Sequence, residues 1–251
     1  MSCRAMTHSL ALLLAVVAFP HAASAQQIDT VRVGSPSLRT ERIESRVDTL
    51  ALFVRRGSQD IPVATLVRTI ASTRTRGQPA WLFVQDYRTE RGGNVDSSMV
   101  VASTLAPVWY ASHAHAVEHF DFDGAAVHGT VAVGDSATRA VDTSSDEPAF
   151  NGVTGELVLS ALPLAADFSA INRAYNPPRG FASARVRVTG AEALETASGV
   201  VDAWIVDFWA EGAPTTIWVG KRDHRTLRLR SQLTDGSVFW KTSAADKAMI
   251  R

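Results

Sequence analysis

A chain of 251 residues with 25 basic and 25 acidic side chains carries no net formal charge, which argues against charge-driven recruitment to nucleic acid or to an anionic surface. Its 46% hydrophobic content supports a sizeable core, and its length suits one large β domain. The single cysteine, Cys3, excludes an internal disulfide and stands too early, ahead of the first apolar run, to accept a lipid anchor.

The N-terminal segment has the order of a secretory signal peptide: Arg4, an apolar run from Leu10 to Phe19, then Ala23-Ser24-Ala25, with cleavage expected after Ala25. That run is about half the twenty apolar residues that a bilayer crossing requires, so the mature protein is expected not to be transmembrane. Export without disulfides is expected of a bacterial periplasm. The reading divides the chain into a signal peptide (1–25), a polar lead-in (26–45), one β-rich domain (46–242) and a polar tail (243–251).

Within the domain, runs rich in Val, Ile, Thr and aromatics, each closed by turn residues, predict strands. They cover Arg46–Arg55, Pro62–Arg74, Ala80–Arg88, Val108–Phe122, Ala125–Val133 and Ala137–Asp142. Further on they cover Ala182–Val188, Val200–Trp209, Pro214–Gly220, Arg225–Leu233 and Ser237–Lys241. One helix is predicted over Val153–Leu162, ending before Pro163. Asp167–Tyr175 reads as a helical turn leading into the loop around Pro177-Pro178. Strands this long twist and curl. The predicted fold is mainly all-β: an antiparallel curved sheet or partly open barrel with one short covering helix.

Four of the seven histidines fall between His113 and His128. Asp123-Gly124 is a two-residue hairpin signal, which pairs Phe122 with Ala125 and sets His119 opposite His128, with Asp121 on the same face. Two imidazoles and a carboxylate at that spacing suit zinc or ferrous iron, which makes a metal-dependent enzyme the alternative reading. His113 and His115 form a second, separate HxH pair. The plainer reading is the polar face of an amphipathic hairpin, and the leading expectation assigns no metal, no cofactor and no catalytic residue.

Other chemistries lack their motifs. No Gly-x-Ser-x-Gly elbow, Gly-x-Gly-x-x-Gly loop or Walker loop occurs. Asp202 and Asp207 lie five apart on one strand and face opposite sides, so they are not a glycosidase pair; Asp202, beside Trp204, is expected to be a buried hydrogen-bonding group. All six tryptophans fall on predicted strands. The strand Val200–Trp209 is apolar on both faces and needs two covers, so a pocket on the concave side is expected to be walled by Trp204, Phe208 and Trp218.

A series of segments carries a family resemblance: "TLAPVW" (Thr104–Trp109), "FDGAAVHGTV" (Phe122–Val131), "ALPLAADF" (Ala161–Phe168), "VTGAEALETASGVVDAWIVDF" (Val188–Phe208) and "TIWVGKRDHRTLRLRSQLTDGSVFW" (Thr216–Trp240). Together, from about Val47 to Lys241, they resemble the exported bacterial family called domain of unknown function 3108. The resemblance implies an exported β-rich domain and no assigned reaction, so no catalytic residue is carried over. In shape the predicted sheet with its helical cover also resembles the periplasmic lipoprotein carriers, a likeness that speaks to fold more than to function. The sequence therefore points to a periplasmic, non-enzymatic protein whose partner is a hydrophobic small molecule or lipid, or another envelope protein.

Overall fold

The computed structural model describes residues 28–113, 116–133, 137–177, 179–210 and 214–250. The expected signal peptide and His115 lie outside the described residues.

One sheet organises the fold. Its strands are β1 (Asp29–Val31), β2 (Arg46–Arg56), β3 (Gln59–Thr75), β4 (Gln78–Thr89), β5 (Gly92–Val101), β6 (Pro107–His113), β7 (Ala116–Asp123) and β8 (Ala126–Val133). They continue with β9 (Arg139–Ser144), β10 (Phe150–Asn151), β11 (Ser169–Asn176), β12 (Gly180–Thr196), β13 (Gly199–Trp209), β14 (Thr215–Gly220), β15 (Thr226–Gln232) and β16 (Val238–Ser243). The spatial order is β1-β11-β12-β13-β14-β15-β16-β2-β3-β4-β5-β6-β7-β8-β9, with β10 beside β11. Every pairing is antiparallel except those of β1 and β10 with β11.

An antiparallel sheet this wide curls, because twist accumulates beyond about ten strands. Bulges at Leu52/Phe53, Met99/Val100, Val188/Gly190 and Trp218/Val219 add local bending. The curl brings β11 across to β7, where the Tyr175 ring meets Phe120 and Phe122 at 5.6 and 5.9 Å. The two ends touch through side chains and do not share a backbone ladder, so the sheet stays open.

The concave side is filled by α1 (Gly155–Ala161), entered through a 3-10 turn at Gly152–Thr154. Leu157, Val158, Leu159 and Ala161 pack there against Ile70, Phe83, Val186, Val206 and Ile217 from both halves of the sheet. Asn151, fully buried, donates to Ser98 Oγ at 2.9 Å and so ties the start of this cover to β5.

The lead-in and the tail join the packing. Val31, Leu38 and Ile43 belong to the main core, and Ala244–Met249 forms a 3-10 segment beside β16.

The predicted elements need three corrections. Asp167–Tyr175 is no helical turn: Ser169–Asn176 is strand β11, paired with β12 and, in parallel, with β1. The single strand expected over Val108–Phe122 is two, β6 and β7, paired with each other. Gly92–Val101, unassigned in the sequence reading, is strand β5. Among the described residues no helix is long and apolar enough to cross a membrane.

Candidate functional site

The concave face is read most easily as rows of residues that lie opposite one another on adjacent strands. One row runs Asp48, Arg68, Gln85, Asp96 across β2 to β5. On the other half of the sheet, Val206, Ile217, Leu229 and Lys241 line up across β13 to β16. The rows are polar and largely apolar respectively, and α1 lies between them.

Beside α1, Gln85 and Asp96 of the first row and Ile217, Leu229 and Lys241 of the second border an open-mouthed cavity of about 360 Å3. Phe208, Ile217, Leu229, Val153 and Leu159 form its apolar wall, and Gln85, Tyr87, Asp96, Glu156 and Lys241 its polar end. A smaller pocket of about 80 Å3 lies on the other side of Phe208, between α1 and β11 to β13. Phe208 thus stands as a partition between two spaces on one face.

The polar end is an ion-pair network. Arg68 in β3 alternates with Leu66 and Ile70, all three buried on one face, so its charge must find partners inside the fold. Asp48 Oδ2 accepts from Arg68 at 2.7 Å and from Arg46 at 3.1 Å, while Asp48 Oδ1 accepts from Arg225 at 2.7 Å. On its other side Arg68 donates to Glu156, from the first turn of α1, and Lys241 donates to the second oxygen of the same carboxylate.

Burial pushes the Glu156 carboxyl up, but the charges of Arg68 and Lys241 outweigh it and hold the group down to about 2. Asp48 behaves alike: burial opposes its ionisation, and the three arginines still bring it below the usual carboxylate range. Burial, the larger effect, and the neighbouring Asp96 carboxylate instead raise Glu118, further along the polar row.

The expected wall residues separate. Phe208 lines both spaces under α1. Trp204 shares its strand face and packs on the core, with the Lys221 ammonium 4.4 Å from its ring centroid. Trp218 pairs with Ile205 and so lies on the opposite, convex face. There it stacks on Trp240 at 6.2 Å and donates its indole N–H to Glu192 at 2.5 Å. Asp202, expected to be buried, is exposed.

The histidine hairpin closes one position away from the expected register. Its two turn residues are Gly124 and Ala125, which pairs Asp123 with Ala126, sets His119 opposite Thr130 and His128 opposite Asp121. His119 contacts Asp121 at 3.3 Å and His128 contacts Asp142 at 3.1 Å, all on an exposed convex surface. Among the described residues no group of three or more His, Cys, Asp or Glu side chains is placed to hold a metal ion. The expected pairing of His119 with His128, on which the metal reading stood, is therefore overturned.

Arg68, Glu156 and Lys241 are not among the residues expected from the sequence. The available signal was an arginine on the buried face of an alternating strand, between Leu66 and Ile70, since such a residue announces a buried carboxylate elsewhere.

Comparison with curated proteins and with solved structures finds no match. The likeness of shape to lipoprotein carriers accordingly has no matching structure behind it. A family model described as a protein of unknown function (DUF3108) matches residues 54–241, well over half of the chain and nearly all of the curved sheet from β2 to β16. The chain belongs to the family DUF3108.

Proposed function

We propose that this is a binding protein of the bacterial envelope, exported to the periplasm, which takes an apolar or amphipathic molecule on the concave side of its sheet. The observation that carries the reading is the cavity of about 360 Å3 between α1 and the sheet, apolar along one wall and charged at one end. Its size falls within the about 300–1,000 Å3 typical of small-molecule sites, and a few polar groups in an apolar lining is the composition such sites share.

Two measurements test it. Native mass spectrometry of protein purified from a bacterial periplasm is expected to show an adduct of lipid-like mass that is lost on denaturation. The neutral fluorophore N-phenylnaphthylamine is expected to bind saturably to the delipidated protein and to lose that binding in Thr215→Trp, which fills the cavity from β14. A bare mass together with no saturable fluorescence would remove the cavity as a ligand site.

A further inference from the structure

We propose that the cavity selects an amphiphile with an anionic head group, which docks on Lys241 in the place that Glu156 now occupies. The inference rests on the cavity being a ligand site and adds to it the chemistry of the head group and the residues that choose it.

Three features of the site favour such a ligand, and the first is charge. Among the described residues, Arg46, Arg68, Arg225 and Lys241 share two carboxylates, Asp48 and Glu156. Of these six groups Lys241 and Glu156 line the cavity, joined there by Asp96, so the pull on an anion is local to Lys241 and is stronger between low-dielectric walls than it would be in open water.

The second is position. Among the described residues lining the cavity Lys241 is the one cation, and it continues the row of Ile217 and Leu229. A head group held at Lys241 therefore lays its tail along Leu229 and Ile217 toward Phe208. At the same end Gln85 is 6% exposed and lines the cavity. Its amide can both donate and accept a hydrogen bond at the end of the cavity that Lys241 also lines.

The third is exchange. Lys241 grips one oxygen of Glu156 and Arg68 the other. An incoming carboxylate or phosphate can take over Lys241 while Glu156 keeps Arg68, so the swap leaves no buried charge without a partner. Breaking a buried pair is costly only when one partner is left alone. A neutral amphiphile offers no such exchange and must share the cavity with the intact Lys241–Glu156 pair. Glu156 is then an internal stand-in for the ligand's head, and it sets the threshold for occupancy.

The test is displacement of N-phenylnaphthylamine by dodecanoate, dodecyl phosphate and dodecanol, which share one tail. A charge-assisted hydrogen bond made by the anions alone predicts that at least one of them displaces the probe about tenfold more strongly than dodecanol. The tighter anion identifies the head group.

Lys241→Met is expected to remove that advantage while holding dodecanol within about twofold, and Lys241→Arg to restore it. Lys241→Gln is the second neutral variant should Lys241→Met not fold. Glu156→Gln, which loosens the internal competitor, is expected to raise anion affinity several-fold. Equal displacement by all three amphiphiles, or indifference to every Lys241 substitution, overturns the head-group assignment and leaves the cavity standing as a ligand site. Failure of the probe itself to bind overturns the cavity reading as well.

Discussion

Arg68 shows how a single residue ties the covering helix to the sheet. It is 2% exposed, and its guanidinium is divided between Asp48 on the neighbouring strand and Glu156 on α1. The planar fork serves two carboxylates at once, which a lysine ammonium does with less geometric control. The network makes stability depend on pH with a sign that can be worked out. Glu156 is held at about 2 against an ordinary 4.5, so the unfolded chain binds its proton first. The stability it contributes is complete above about 4.5 and drains away as pH falls toward 2. His224 acts in a higher window. Burial and the Arg42 guanidinium, 3.0–3.1 Å from its ring nitrogens, lower it from 6.5. The folded imidazole stays neutral while the unfolded one protonates, so stability is lost as pH drops below 6.5. Urea midpoints measured from pH 8 to pH 3 are expected to decline in both windows. His224→Asn, which keeps a residue tolerant of the positive φ of 53° there, should flatten the upper decline alone, and Glu156→Gln should lessen the lower one, to which Asp48 also contributes.

At the scale of strands and helices, the sequence was legible wherever alternation was clean. The helix predicted over Val153–Leu162 is the 3-10 turn and α1, because Leu157 and Ala161 fall one turn apart on a buried stripe and Pro163 stops the run. Strand β5 was hidden because Asn94, Asp96 and Ser98 give it a polar face, and that face looks into the fold: Ser98 is fully buried against Asn151. Strand β11 was hidden for the opposite reason, since the four-residue spacing of Ile171 and Tyr175 imitates a helix while the actual partners are β12 and β1. The β7–β8 register slipped because two adjacent dipeptides, Asp123-Gly124 and Gly124-Ala125, can each supply the turn, and the second supplies it with Gly124 at a φ of 60°. That hairpin has its own pressure point. Gly129 lies opposite Phe120, and a Cβ there would come within 2.2 Å of the His119 carbonyl oxygen and 2.6 Å of the Phe120 ring. Gly129→Ala is therefore expected to cost about 1–3 kcal/mol through overpacking, read as a lowered melting temperature. Gly190→Ala is the control, because its Cβ would meet only Ile205 Cδ1 at an ordinary 3.8 Å; an equal loss in both variants would refute the steric account.

At the scale of the whole molecule, the sheet must curl yet does not close, and something other than backbone pairing has to hold its ends together. Two devices do so. The first is α1, which packs on core residues from both halves. The second is the aromatic cluster in which Tyr175 of β11, 1% exposed, meets Phe120 and Phe122 of β7 and, at 5.1 Å, Phe181 of β12. Edge-to-face pairs of this kind add about 0.5–1.5 kcal/mol each beyond the area they bury, so the junction is strong for its size but depends on one ring. Tyr175→Ala is expected to cost about 3–5 kcal/mol, the range found for removing a buried aromatic side chain. The loss should also be local, because β14, β15 and β16 are paired around the sheet's middle and do not take part in this cluster. Native-state hydrogen exchange distinguishes that outcome. Amides of β6, β7, β8 and β11 are expected to lose protection in Tyr175→Ala while those of β14 to β16 keep theirs. An even loss across all strands would show instead that the curved sheet opens only by unfolding as one unit, with the aromatic junction no weaker a seam than any ladder in it.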